Sequence, residues 1–216
     1  MGPLLAIIDY GAGNLRSLSR ALGIAGARVA LIRSPAEAHH GDGIVLPGVG
    51  AFGPAMARLT AAGFPPWIHE RVAAGTPLVG VCLGMQLLFD RSDEASGVSG
   101  LGLIKGEVRR LPSGLKVPHM GWNGVITRRA DPVISDLREG AFVYFVHSYV
   151  VDPRDPVGVI ATATYGREFP AIIRQGNVLG LQFHPEKSAA TGLGLLREIV
   201  GWIAATAPSV RVGTRV

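Results

Sequence analysis

The chain has 216 residues, 48% hydrophobic and 17% charged, which is long and apolar enough to bury a sizeable core and excludes intrinsic disorder. The net charge of +5 is spread over isolated pairs (Arg109–Arg110, Arg128–Arg129) and the last residues (Arg211, Arg215), and the 6% of aromatics does not interleave with it, so a nucleic-acid surface is not expected. A single cysteine excludes an internal disulfide framework and a cysteine-rich zinc site, and the start Met1-Gly-Pro-Leu-Leu-Ala carries neither a signal-peptide pattern nor a myristoylation motif.

No apolar run reaches membrane-spanning length, so the expectation is a soluble, cytoplasmic protein with no membrane partner. Neither a linker nor an internal repeat divides the chain. The reading is one domain over 1–208 and a loose tail over 209–216.

In chain order, Leu4 to Asp9 reads as a strand that ends in Tyr10-Gly-Ala-Gly-Asn14, followed by a helix from Leu15 to Leu22. The glycines suggest a dinucleotide fingerprint, but its third glycine would fall on Arg16, so that site is rejected. Strands follow at Arg28 to Ile32 and Gly43 to Leu46. The latter runs into Pro47-Gly-Val-Gly50-Ala-Phe-Gly53, where small residues let backbone amides face an anion. Helices from Pro54 to Ala62 and around Trp67, Ile68, Arg71 and Val72 lead to a strand at Leu78 to Val81 and a helix from Leu83. This order, β-α-β-β-α-α-β-α, predicts an α/β fold with an open, mostly parallel, doubly wound sheet of flavodoxin-like type. Asp90 to Gly100 reads as a polar loop without periodicity. The second half is rich in strands, some expected to be antiparallel: Ile104 to Leu111, Asn123 to Thr127, Ala141 to Tyr149, Val157 to Thr164, Ala171 to Arg174 and Val178 to Phe183. Leu193, Leu196, Ile199, Val200 and Ile203 recur at helical spacing and predict a closing core-packed helix.

The chemistry centres on Gly80-Val-Cys82-Leu-Gly84. Gly-x-Cys-x-Gly between a strand and a helix is the thiol form of the nucleophile elbow, whose glycines remove Cβ atoms that would clash in a sharp turn. Helical N–H groups aimed at the sulfur favour a thiolate, and that of Leu83 is a candidate oxyanion donor. A cysteine nucleophile needs a base, and the base an orienting group. Phe183-His184-Pro-Glu186 offers both, with a proline fixing the bend at a strand end. The loop around Val49 and Gly50 is the candidate for a second oxyanion donor. His39, His40 and His69 read as solvated.

Gly80-Val-Cys82-Leu-Gly-Met-Gln86 with Phe183-His184-Pro-Glu186-Lys-Ser188 resembles the class I (triad) glutamine amidotransferases. More narrowly, Ile8-Asp-Tyr10-Gly-Ala-Gly-Asn14-Leu, Pro47-Gly-Val-Gly-Ala-Phe52, Lys116-Val-Pro-His119-Met-Gly-Trp122-Asn and Tyr144-Phe-Val-His147-Ser-Tyr149 are similar to segments of the glutaminase subunits of imidazole glycerol phosphate synthases. The resemblance spans about Ile7 to Ser188. It implies glutamine hydrolysis without a cofactor or metal, and transfer of the ammonia to a (β/α)8-barrel cyclase in histidine biosynthesis. No such barrel follows in this chain, so the cyclase is expected as a second polypeptide in a heterodimer. The resemblance makes Cys82 the nucleophile, His184 the general base and acid, and Glu186 its orienter. It places Val49, Gly50 and Leu83 at the oxyanion, and Gly50, Gln86, Ser148 and Tyr149 at glutamine's α-amino and carboxylate groups. Tyr10, Asn14, His119, Met120, Trp122 and Tyr144 fall on the partner-facing surface, while the residues of the Met–Trp segment by themselves suit an interface loop and a core corner equally.

One departure stands out: Lys105 occupies a position where that family pattern carries proline. Other readings share parts of this pattern. They are an amidotransferase subunit serving pyridoxal phosphate or anthranilate synthesis, a free-standing thiol hydrolase, and a catalytically silent regulatory subunit.

Overall fold

The computed structural model describes residues 1–38 and 41–207; His39, His40 and the expected tail lie outside the described residues. Five strands form a parallel block in the order β2 (Arg28–Ile32), β1 (Leu4–Ile8), β3 (Gly43–Leu46), β4 (Leu78–Val81) and β12 (Val178–Leu181). Four antiparallel strands extend it: β11 (Arg167–Gln175), β10 (Val159–Tyr165), β7 (His119–Thr127) and β8 (Ala141–His147) at the edge. A small second sheet pairs β5 (Arg91–Ser92), β6 (Gly106–Arg110) and β9 (Tyr149–Pro153). The expected α/β class, mostly parallel with added antiparallel strands, is the observed one. The first half follows the predicted order element for element, with α1 (Leu15–Ile24), α2 (Phe52–Ala61), α3 (Phe64–Ala73) and α4 (Leu83–Leu87) in their expected places, and α5 (Ala189–Thr206) closes the fold.

The period of two along a strand decides which core each side chain enters. On β1, Leu5 and Ile7 pack with Leu18 and Leu22 of α1 and with Leu195, Leu196 and Ile199 of α5. Ala6 and Ile8 point the other way, to Phe52, Leu59, Phe64 and Ile68 of α2 and α3. The central strands are covered on both faces, which is why they read as unbroken apolar runs. No helix among the described residues is long and apolar enough to cross a membrane.

Three expectations are corrected. The segment His119-Met-Gly-Trp-Asn is not a loop but the first half of β7. Gly121 hides the strand signal, while the alternation sends His119 inward and leaves Met120 and Trp122 63% and 52% exposed. The single strand expected over Ala141 to Tyr149 is two strands broken at Ser148, where the chain leaves the large sheet for the small one. The switch is held by the Leu111 amide donating to the Ser148 carbonyl at 3.0 Å, and by the pairing of Arg110 with Tyr149. The polar loop after Phe89 contains β5, and the unexpected Lys105 closes it by an ion pair to Asp90 at 3.0 Å.

Candidate active site

Strand β4 ends at Val81, and Cys82 turns the chain into α4 with φ 55° and ψ −110°. A non-glycine residue in that region costs of order ~1–3 kcal/mol and persists only where the surroundings force it. Here they do. A Cβ on Gly84 would lie 1.9 Å from the Leu46 carbonyl oxygen, and one on Gly80 would lie 2.7 Å from the Gly84 oxygen. The two glycines thus let α4 fold back onto β4 and against β3. Helix α4 has only five residues, so its contribution is the unpaired first-turn N–H groups, Leu83 among them, more than a long dipole.

His184 follows β12, the neighbour of β4, so parallel pairing brings it beside Cys82 across 102 positions of sequence. His184 Nδ1 donates to Glu186 Oε1 at 2.9 Å, which leaves Nε2 facing the thiol. That nitrogen is buried and has no partner of ordinary hydrogen-bond geometry among the described residues. The turn is stapled from outside: Ser188 Oγ donates to the His184 carbonyl at 2.7 Å and accepts from the Tyr144 amide at 2.9 Å. Burial favours neutral His184, but hydrogen bonds to Cys82 and Glu186 and the negative charge of both outweigh it and push its pKa up to about 10. The imidazole therefore rests as imidazolium when the sulfur is a thiolate.

Cys82 and His184 open onto a cavity of about 240 Å³ lined also by Val49, Gly50, Leu83, Gln86, Glu94, Pro118 and the segment Val146 to Tyr149. The structure thus brings together every residue expected at the triad, the oxyanion and the substrate. Gln86 is buried, its amide nitrogen donating to the Tyr149 carbonyl at 3.1 Å and to Gln182 Oε1 at 3.2 Å. Gly50 has φ 102°, a left-handed conformation that suits glycine.

The expected partner-facing set divides. Met120 and Trp122 are exposed, Asn14 and Tyr144 partly so. Tyr10 and His119 are 5% and 4% exposed and present no surface to a partner: His119 follows the inward direction of β7, and Tyr10 turns into the core in the bend after β1. Tyr10 instead donates its hydroxyl to the Pro47 carbonyl at 2.8 Å and underpins the 47–50 loop. Burial, with the charge at Cys82 adding, raises its pKa far above the usual phenol value, so it stays a donor. His69 is exposed, as expected.

Two polar cavity residues escaped the sequence reading. Among the described residues Glu94 is the only carboxylate that lines the cavity, its Oε2 accepting the Phe52 amide at the start of α2 at 2.8 Å. Nothing in Arg91-Ser-Asp-Glu distinguishes it from a solvated loop acid. His147 was legible only as part of a motif, with no role attached.

The profile described as "Glutamine amidotransferase class-I" matches residues 6–198. The chain belongs to the class-I glutamine amidotransferases. Among its relatives is an "Imidazole glycerol phosphate synthase subunit HisH" of Moorella thermoacetica, 49% identical over 89% of this chain and 92% of that one. A subunit of the same description from Thermosynechococcus vestitus is 48% identical over 93% and 98%. One from Halobacterium salinarum is 45% identical over 94% and 95%. Among solved structures, a glutamine amidotransferase superimposes with a TM-score of 0.72 at 21% identity, covering 91% of this chain and 98% of that one. PurLQS from Thermotoga maritima gives 0.73 at 21% identity, covering 95% and 98%. At that identity the superpositions bear on the amidotransferase fold, and the HisH relatives carry the narrower assignment.

Proposed function

We propose that this amidotransferase is the glutaminase subunit of an imidazole glycerol phosphate synthase and hydrolyses L-glutamine with Cys82, His184 and Glu186. The observation that carries the reading is a buried His184 held between Glu186 and the Cys82 thiol at the head of a small polar-rimmed cavity. The thiolate attacks the side-chain amide carbon of glutamine. The Leu83 amide and a reoriented 49–50 peptide take the charge that develops on oxygen. His184 Nε2–H protonates the amide nitrogen, the C–N bond breaks and ammonia leaves. A water then gives a proton to His184 and attacks the thioester, glutamate departs, and the imidazolium–thiolate pair returns. Glu186 holds the ring so that Nδ1 keeps its hydrogen throughout.

Gly50, Gln86, Ser148 and Tyr149 line the part of the cavity assigned to the amino-acid end of glutamine. Glu94 supplies the negative charge that an α-ammonium group requires. Glu94→Gln retains the acceptor for Phe52 and removes only the charge. It should raise KM for glutamine about 10-fold or more with little change in kcat, since a hydrogen bond to a charged group contributes ~1.5–3 kcal/mol. Steady-state kinetics on the variant check this.

The outward face of the β7–β8 edge carries Met120, Trp122 and Phe142, all more than half exposed, with Trp122 edge-on to Tyr144 at 6.2 Å. Apolar groups gathered on a sheet edge suit an interface, and Pro118, immediately before β7, lines the cavity. We assign this face to the (β/α)8 cyclase, which receives the ammonia and forms imidazole glycerol phosphate and aminoimidazole carboxamide ribotide in a cytoplasmic heterodimer. The assembled triad and the HisH relatives disfavour a silent subunit and a pyridoxal phosphate or anthranilate partner. The test is glutamate release by the chain alone and with a histidine-pathway cyclase, with and without the cyclase ribotide. The expected result is a low rate alone that rises by orders of magnitude in the liganded complex; a high rate indifferent to the cyclase would overturn the assignment.

A further inference from the structure

Two buried histidines take no part in the chemistry above. His119 of β7 and His147 of β8 are register partners, 4% and 5% exposed, with His119 Nδ1 at 3.0 Å from His147 Nε2. Their neighbours leave one arrangement of hydrogens. His147 Nδ1 lies 2.9 Å from the Tyr149 carbonyl, which only accepts, so that nitrogen carries the hydrogen and Nε2 of the neutral ring is a lone pair. His119 Nδ1 must then donate to it. His119 Nε2 becomes an acceptor and meets Asn123 Nδ2 at 3.4 Å, which also donates to the Thr164 carbonyl at 2.8 Å. Asn123 Oδ1 accepts the Gly124 amide at 2.8 Å, which fixes the amide's orientation. The bonds run one way, from Asn123 through His119 and His147 to the Tyr149 carbonyl.

The rings cannot swing out of this chain. His119 is stacked between Tyr165 (4.1 Å, 16°) and Phe145 (5.1 Å, 23°). Protonating His147 would set two hydrogens against each other across the 3.0 Å contact, and protonating His119 would do so toward the Asn123 amide at 3.4 Å. Burial lowers the pKa of both, and nearby charge on His119 and His184 adds to this at His147, which falls to about 3. His147 is therefore neutral, and burial favours the neutral form of His119.

The far end of the chain is where its consequence lies. The Tyr149 carbonyl receives both His147 and Gln86, so its two lone pairs are filled and the peptide cannot turn. Ser148 and Tyr149 line the cavity at the break between β8 and β9, where the chain passes from the large sheet to the small one. We propose that His119 and His147 are a positioning pair that fixes the Ser148–Tyr149 segment for substrate and ties it to β7, the strand that presents Met120 and Trp122 to the outside. The proposal rests on the glutamine reading of the cavity.

The test uses 6-diazo-5-oxo-L-norleucine, an electrophilic glutamine analogue that must seat its amino-acid end before it alkylates Cys82, beside iodoacetamide, which needs only the thiolate. His119→Phe keeps the stacked ring and removes the donor to His147; Asn123→Ala, at a half-buried site, frees the His119 tautomer without emptying the core. For His119→Phe the half-saturating concentration of the analogue should rise about 10-fold, and for Asn123→Ala about 3-fold. The iodoacetamide rate at Cys82 should stay within 2-fold in both. His147→Asn, which retains a donor toward Tyr149, should recover part of what His147→Leu loses. Unchanged analogue affinity in folded His119→Phe and Asn123→Ala would reduce the pair to core packing and overturn the proposal. An equal fall with both reagents would overturn it too, since the effect would then run through the triad. Wild-type protein that shows no saturable reaction with the analogue would instead remove the glutamine reading, and the pair's role with it.

Discussion

Cys82→Ala should abolish glutamine-dependent synthesis while the cyclase, supplied with an ammonium salt, continues at its own rate. Loss of a covalent nucleophile in a triad typically removes ~10⁴–10⁶ of rate, leaving what binding and the oxyanion donors provide. The variant should fold. Alanine meets the same φ of 55° that the cysteine already adopts, and it deletes one sulfur without adding volume to the contacts of Gly80 and Gly84. Paired assays of the complex with glutamine and with ammonium chloride decide the matter. Loss of both activities in a folded variant would contradict a division of labour between the two subunits.

The second large effect separates the members of the His184–Glu186 pair. His184→Ala removes the group placed to carry a proton between sulfur, amide nitrogen and water, and should cost about 10⁴-fold in kcat. Glu186→Gln leaves an oxygen that can still accept from Nδ1, so it should cost far less, about 10²-fold. Equal losses would mean that Glu186 does more than orient. The pH profile supplies a further readout. His184, pushed up to about 10 in the free protein, must hold its proton to release ammonia, so the alkaline limb of kcat/KM should lie near pH 10. The Glu186 carboxylate is one of the groups that raise that value, and its neutralisation should move the limb to lower pH. An unshifted limb would show that Cys82 alone sets it.

Much of this was legible in the chain because it is local. A nucleophile elbow is a strand, a turn and a helix in consecutive residues, and the Gly80 and Gly84 contacts show why those positions admit nothing larger. His184 and Glu186 are two residues apart, so their 2.9 Å bond needs only the bend at Pro185. The parallel block was legible for the same reason: strands covered on both faces are apolar throughout and alternate with helices of clear period.

The misreadings share a different physical cause. Period-two alternation in the first half of β7 is masked by Gly121, so the segment before the expected strand at Asn123 passed for a loop and buried His119 for a surface residue. Tyr10 was placed outside for want of any local sign that its hydroxyl would find the Pro47 carbonyl 37 residues away. Glu94 gains meaning only when the loop after β5 is laid over the start of α2.

By itself, then, the sequence determined the α/β order, the elbow, the histidine–glutamate turn and the resemblance to an amidotransferase. These depend on neighbours in the chain and on patterns of burial that repeat along it. Tertiary structure alone decided which strand lies beside which. It placed β12 next to β4 so that His184 reaches Cys82, and set His119 against His147 across an antiparallel pair. It also moved the break at Ser148 to the rim of the cavity. Pairings between distant segments are chosen by the burial and hydrogen bonding of the whole sheet, and no short stretch of residues carries that information.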